Sequence, residues 1–220
     1  MNITPRQMLL YAVSDRAWSR DDEEFIAQVR QAVMGGVTIF QLREKHADYE
    51  HFKKIALRIK PICKEYGVPL IINDNVRLAK EIDADGVHLG QDDLDIKSAR
   101  EYLGQDKIIG VSAHNVAEAL AAQQGGADYL GSGAAFVTST KTDAGAIDRK
   151  VLADIAHKVK IPVVAIGGIN VENITQLQNL GLDGIAVVSA IFAAEDIPCA
   201  VRELKAKAEL VAESSVKQKG

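Results

Sequence analysis

The side chains able to do chemistry fall in short clusters along this chain. In QLREK, Gln41, Arg43 and Lys45 stand at alternate positions. On an extended backbone alternate side chains share a side. Two cations on one side suit a polyanion, most naturally a diphosphate. Asp74 ends one apolar run and Asp93 follows another. Magnesium prefers a few carboxylates together with water and phosphate oxygens, so this pair suits an Mg²⁺–diphosphate seat. Asp92 is an alternative ligand to Asp93, and Asp92, Asp93 or Asp95 could equally cap the segment DIKSAREYL. The stretch AFVTSTKTDAGA offers Thr138 and Thr140 as phosphate-holding hydroxyls and Lys141 as a partner for a leaving oxyanion. Gly167–Gly168, and Val188–Ser189–Ala190 ahead of IFAAED, have the character of an anion corner. There a glycine lets an oxygen approach backbone N–H groups, and a helix start adds its dipole. His88 and His114 are open to acid–base work or to plain packing at strand ends. No nucleophile elbow with a Ser/His/Asp set and no Cys/His metal spacing is visible.

These clusters need elements to bring them together. Eight short β-rich runs begin near Met8, Val37, Pro69, Gly86, Ile108, Tyr129, Pro162 and Gly184. Amphipathic stretches of helical period lie between them: Asp22–Met34, Glu50–Tyr66, Val116–Gln124, Arg149–Val159 and Val171–Leu180. Strands alternating with helices imply parallel pairing through crossovers. Eight such units in one chain predict an α/β single-domain (β/α)₈ TIM barrel with parallel strands, over residues 1–212. A doubly wound open sheet is the competing architecture. An internal repeat favours the barrel: GGVTIF, DADGVHL, GADYLG and GLDGIAV enter the even strands, while YGVPLI and VKIPVV enter two of the odd ones. Barrel layers draw on alternate strands in the same way. The polar clusters also fall at the C-terminal ends of the strands, where barrel active sites are built. Residues Met1–Gln7 are expected to lie loosely before the first strand. The polar segment 213–220, ESSVKQKG, is expected to be a disordered C-terminal tail.

Composition narrows the class further. The chain has 220 residues, 47% of them hydrophobic and 25% charged, with a net charge of −4. That length lets about 70% of the extended chain's surface be buried without metal or disulfide staples. The acidic balance offers no broad nucleic-acid surface. No apolar run approaches the length of a membrane span, and the N-terminus lacks the pattern of a secretory signal, so a cytoplasmic enzyme with no membrane partner is expected. Cys63 and Cys199 read as thiols in a reducing compartment.

At these residues the sequence resembles the thiamine phosphate synthase family. QLREK, NDN, DGVHLGQDD, GVSAH, GADYLGSGAAF, TSTKTDA, IPVVAIGGI and DGIAVVSAIF occur in family order across most of the chain. The resemblance implies a barrel transferase that uses Mg²⁺. It would join an aminopyrimidine carrying a diphosphomethyl group to a thiazole phosphate, giving thiamine phosphate and diphosphate. By that resemblance Gln41, Arg43, Lys45 and Asn73 bind the pyrimidine diphosphate, and Asp74 and Asp93 hold Mg²⁺. Ser112 contacts the pyrimidine or the departing diphosphate. Thr138, Thr140 and Lys141 stand between the substrates, with Lys141 on the diphosphate. Gly168, Val188 and Ser189 bind the thiazole phosphate. One departure is Val137, where the family often has proline before the TxTK motif. It removes a fixed φ and adds an N–H without touching a proposed ligand.

The implied chemistry needs no protein nucleophile. Ionisation of the pyrimidine–diphosphate bond gives a cation that the thiazole nitrogen attacks, and Arg43, Lys45, Lys141 and Mg²⁺ stabilise the leaving charge. Three alternatives compete with this reading. A thiazole tautomerase-like isomerase would not need the diphosphate seat. Another sugar-phosphate barrel would call for an acid–base pair across the mouth. A non-catalytic barrel that binds thiazole or thiamine phosphate would have little use for the full ionic set.

Overall fold

The computed structural model describes residues 3–137 and 147–219. Eight parallel strands close into a barrel in sequence order, the last pairing with the first. They are β1 (Leu10–Val13), β2 (Ile39–Leu42), β3 (Leu70–Asn73), β4 (Gly86–Leu89), β5 (Ile108–Ala113), β6 (Tyr129–Gly133), β7 (Val163–Ile166) and β8 (Gly184–Val187). The expected (β/α)₈ architecture is therefore the one observed. Around it lie α1 (Asp22–Gly35), α2 (Tyr49–Glu65), α3 (Val76–Glu81), α4 (Ile96–Leu103), α5 (Val116–Gly125), α6 (Arg149–Lys158), the single turn α7 (Ser189–Phe192) and the long α8 (Ile197–Lys219). Among the described residues, no helix is long and apolar enough to cross a membrane.

The helices start where side chains cap them. Asp21, Asp48, Asn75, Asp95, Asn115 and Asp148 each accept a bond from a first-turn N–H of α1 to α6 in turn. Such caps satisfy donors that the helix itself leaves unpaired. Asp95 is thus the residue that caps α4, which leaves Asp92 and Asp93 to other work.

The repeat seen in the sequence has a physical cause at the bottom of the barrel. The residue that enters each even strand reaches back to the odd strand before it. Thr38 Oγ1 accepts from Leu10 N at 2.9 Å, Asp85 Oδ2 from Leu70 N at 2.8 Å, Asp128 Oδ2 from Ile109 N at 2.8 Å and Asp183 Oδ2 from Val163 N at 2.9 Å. Four buried N–H groups at strand starts find partners in this way. Arg100 backs the third of these bonds, lying 2.7 Å from Asp128 with both side chains largely buried.

Inside the barrel, Met8, Tyr11, Val13, Ile39, Ile71, Ile108, Tyr129, Val164 and Ala186 form one apolar cluster. Outside, a second and larger one packs the strands against the helices. Tyr129 fits inside the barrel because its neighbour on β5 is Gly110. A Cβ at that glycine would fall 2.0 Å from the tyrosine ring.

Three expectations are corrected. From Ile3 onward the N-terminal segment is not loose: Pro5–Met8 forms a 3₁₀ turn capped by Thr4 and Gln7, and Ile3 and Met8 are buried beneath the barrel. Residues Val171–Leu180 do not form a helix, only a 3₁₀ turn over Ile174–Leu177. Asn170 Oδ1 takes the N–H groups of Glu172 and Asn173, a local alternative that competes with helix formation. The expected tail from Glu213 instead continues α8. Ser215 is buried and bonds back to Val211 O, while Ser214 Oγ accepts from Asn179 N.

Candidate active site

A cavity of about 500 Å³ opens at the C-terminal ends of the strands. Every described residue to which the resemblance gives a substrate or metal role lines it: Gln41, Arg43, Lys45, Asn73, Asp74, Asp93, Ser112, Gly168, Val188 and Ser189. Thr138, Thr140 and Lys141 lie outside the described residues. The cavity has two characters. Strands β2 to β5 supply cations, carboxylates and amides, whereas Val164, Ile166, Ala186 and Val187 supply an apolar wall that ends in Gly167–Gly168 and Ser189.

The QLREK alternation persists beyond the end of β2. Arg43 and Lys45 line the cavity, while Glu44 turns to the other side. There Glu44, with its side chain only 4% exposed, takes a bond from Arg16 Nε at 2.8 Å. Arg16 also reaches Asp22 at 2.8 Å and stacks over the Phe25 ring. This outward anchor fixes the segment that carries the two cations. Arg43 is aimed by Asp15, 3.0 Å away. A guanidinium has five donors, so one bond to Asp15 orients the fork without using it up. Gln41 is buried and donates to the Tyr11 hydroxyl at 2.7 Å.

Asp74 and Asp93 face each other across the ends of β3 and β4. Asp74 sits in the left-handed region at φ 61° and takes a bond from the Asn73 amide at 2.5 Å. Asp93 accepts from Gly90 N at 2.6 Å. Desolvation by the cavity wall pushes the Asp74 carboxyl up to about 6, and the neighbouring Asp93 adds to the rise; Asn73 and Arg43 oppose it. Two like carboxylates held together call for a proton or a cation between them. Among the described residues, no group of three or more acidic, histidine or cysteine side chains could hold a metal. A pair of carboxylates in one cavity with Arg43 and Lys45 is what a magnesium site completed by substrate oxygens requires, so these residues fit that ion.

The opposite corner is built by backbone. Gly167 and Gly168 have φ of 101° and 65°. Asn173 Nδ2 holds the Gly168 carbonyl at 2.8 Å. Ala135 N and Phe136 N bond to Ile166 O and Gly167 O, tying the start of the loop after β6 to the same corner. Single-turn α7 follows Val188 directly.

Several residues went unassigned in the sequence. Asp15 orients Arg43, Gln91 donates to the Ser112 carbonyl at 2.6 Å, and His114 lines the cavity while paired with Glu118 at 3.0 Å. His88 touches both Ser112 and Tyr129, at 3.0 Å each. The sequence signal for Tyr129 is a bulky polar ring within an apolar strand, with a glycine, Gly110, at the paired position of the strand before it.

A closed parallel barrel with a diphosphate-like seat on one side and a glycine corner on the other defines a phosphate-handling (β/α)₈ enzyme. The sequence model of the thiamine monophosphate synthase family matches residues 10–191. The chain belongs to that family. It is 48% identical to a thiamine-phosphate synthase of Methanobrevibacter smithii over 90% of this chain and 96% of that one. It is 50% identical to another from Clostridium acetobutylicum over 86% and 89%. The solved thiamine phosphate pyrophosphorylase of Pyrococcus furiosus superposes with a TM-score of 0.86 at 40% identity, covering 94% of this chain and 98% of the other. These relatives do not favour the isomerase or the binding-protein alternative.

Proposed function

We propose that the cavity joins an aminopyrimidine diphosphate to a thiazole phosphate, forming thiamine phosphate and releasing diphosphate. The observation that carries this is the division of one cavity into two anion-handling ends separated by an apolar wall. Arg43 and Lys45, with Asn73 beside them, bind the diphosphate. Asp74 and Asp93 would hold Mg²⁺, which when bound supplies further positive charge to the diphosphate oxygens. Gly168, Val188 and Ser189 hold the phosphate of the thiazole.

The pyrimidine C–O bond breaks and its electron pair leaves with the diphosphate. The ring's amino group releases density into the resulting methyl cation. The thiazole nitrogen then donates its lone pair to form the new C–N bond. Arg43 and Lys45 oppose the charge that grows on the leaving group, the point at which fixed cations accelerate most. Lys141 is assigned to the same end by family resemblance. The remote phosphate corner orients the attacking nitrogen, converting binding energy into alignment.

Product formation from the two substrates, with Mg²⁺ and with a chelator, tests the proposal. Thiamine phosphate formed only with Mg²⁺ is expected. Folded protein that yields no product overturns the proposed reaction, and product formed equally well in chelator overturns the metal assignment.

A further inference from the structure

A polar chain crosses the barrel beneath the cavity. Gln41 Nε2 donates to the Tyr11 hydroxyl at 2.7 Å. The Tyr11 and Tyr129 hydroxyls lie 2.7 Å apart. Tyr129 stands 3.0 Å from His88 Nδ1, and His88 Nε2 stands 3.0 Å from Ser112 Oγ. Tyr11 and Tyr129 are 1% and 0% exposed, so their hydroxyls must find partners within the protein. Burial holds both phenols above their ordinary range, and they stay protonated.

The chain has a direction. The Gln41 amide donates into Tyr11, so Tyr11 donates onward to Tyr129, and Tyr129 donates to His88 Nδ1. The imidazole hydrogen then resides on Nε2 and is donated to Ser112 Oγ. If Nδ1–H donated to Tyr129 instead, the two ends of the chain would meet head-on. One buried phenol hydrogen would then lack an acceptor within the chain, which is costly in a low-dielectric interior.

We infer that His88 is a positioning residue: held as its Nε2–H tautomer by Tyr129, it makes Ser112 Oγ an acceptor from below, so that the Ser112 hydroxyl hydrogen is presented to the cavity. This rests on the function proposed above. Ser112 is then a hydrogen-bond donor to a substrate acceptor, either a diphosphate oxygen or a pyrimidine ring nitrogen. The hydrogen it presents has to meet an acceptor, so a bond accepted from the pyrimidine's amino group could add to this role but not replace it.

The test pairs His88→Asn, which keeps a polar group near Nδ1 but falls short of Ser112, with His88→Gln, whose amide reaches the Nε2 position. His88→Asn is expected to lower kcat by about 10–100-fold while KM for the thiazole phosphate stays within about twofold, and His88→Gln should recover most of the loss. In a Ser112→Ala background, His88→Asn should cost nothing more, because the two residues act as one unit. Losses that multiply, or a wild-type kcat in His88→Asn, overturn the inference. Should His88→Asn fail to fold, the ¹⁵N imidazole spectrum of the wild-type protein decides: a proton on Nε2 supports the chain, and one on Nδ1 refutes it. Binding of Mg²⁺–diphosphate, and separately of the hydroxymethylpyrimidine alone, to Ser112→Ala shows which acceptor is lost; undiminished binding of both refutes the donor role. Wild-type protein that makes no thiamine phosphate overturns the functional reading, while the imidazole spectrum still tests the chain.

Discussion

Gly168→Ala offers the sharpest separation of the two ends of the cavity. Its φ of 65° lies where a Cβ costs about 1–2 kcal/mol. The added carbon would also sit 2.6 Å from the Val137 carbonyl oxygen and 2.9 Å from Phe136 Cβ. Ordinary contact is about 3.5 Å, so the corner or the facing loop must yield by roughly 1 Å. The Gly168 carbonyl is pinned by Asn173 and the facing segment by Gly167 O, so the displacement cannot be absorbed without moving the backbone proposed to hold the thiazole phosphate. Losing one charge-assisted hydrogen bond costs about 1.5–3 kcal/mol, which corresponds to roughly 10–150-fold in affinity. Steady-state kinetics should therefore show KM for the thiazole phosphate rising by about that factor, with KM for the pyrimidine diphosphate within about twofold. A folded variant with an unchanged thiazole KM would refute the assignment of the corner. So would a variant in which the pyrimidine KM alone rose.

Other perturbations probe the supports and the metal seat. The raised Asp74 carboxyl means the folded state binds more protons than the unfolded chain between its ordinary range, near pH 4, and about pH 6. Without metal, stability should fall as pH rises through that window; thermal melts at pH 4.5 and 7.5 check the sign. Mg²⁺ should raise the melting temperature more at pH 7.5 than at pH 5, because it binds the ionised pair. Arg16→Ala strands the Glu44 carboxylate and should cost about 2–3 kcal/mol in denaturant titration. Its KM for the pyrimidine diphosphate should rise as well, since Glu44 anchors the segment carrying Arg43 and Lys45. Asp128→Ala leaves Ile109 N without its side-chain acceptor and Arg100 with backbone carbonyls but no carboxylate, and should cost about 2–3 kcal/mol, against about 1 kcal/mol for Thr38→Ala at the equivalent neutral bond. Neither should change kcat, which turnover at saturating substrate measures.

The barrel was legible because local signals agreed with the global fold. Apolar runs alternated with helical stretches, and Asp or Asn stood ready to cap α1 to α6. The ionic half of the site was legible because strand ends gather at one mouth in this fold, so QLREK, Asp74 and Asp93 had to meet. Other features depend on tertiary contact. The stretch after β7 has a helical pattern, yet Asn170 and Asn173 satisfy N–H groups at its start locally and α8 packs on its 3₁₀ turn. Glu213 and Ser214 look like a frayed end until Asn179 N is brought beside the serine. The chain from Gln41 to Ser112 depends on register. The pairing of Gly110 with Tyr129 lets that ring enter the barrel, and the 3.0 Å approach of His88 joins it to Ser112.

The same residue type does opposite work at the two ends of the strands. At the bottom, Asp85, Asp128 and Asp183 each accept a strand-start N–H, so their charge is satisfied by the fold. At the mouth, Asp74 and Asp93 face each other, and Arg43 and Lys45 stand with them around one cavity. Charges left in mutual conflict destabilise a free protein, and a ligand that resolves the conflict gains the difference as binding energy. The fourfold bottom repeat provides the rigidity that lets the mouth hold that conflict. This separation accounts for the expectation that Asp128→Ala and Thr38→Ala lower stability without touching turnover, whereas Gly168→Ala alters substrate affinity at one end of the cavity alone.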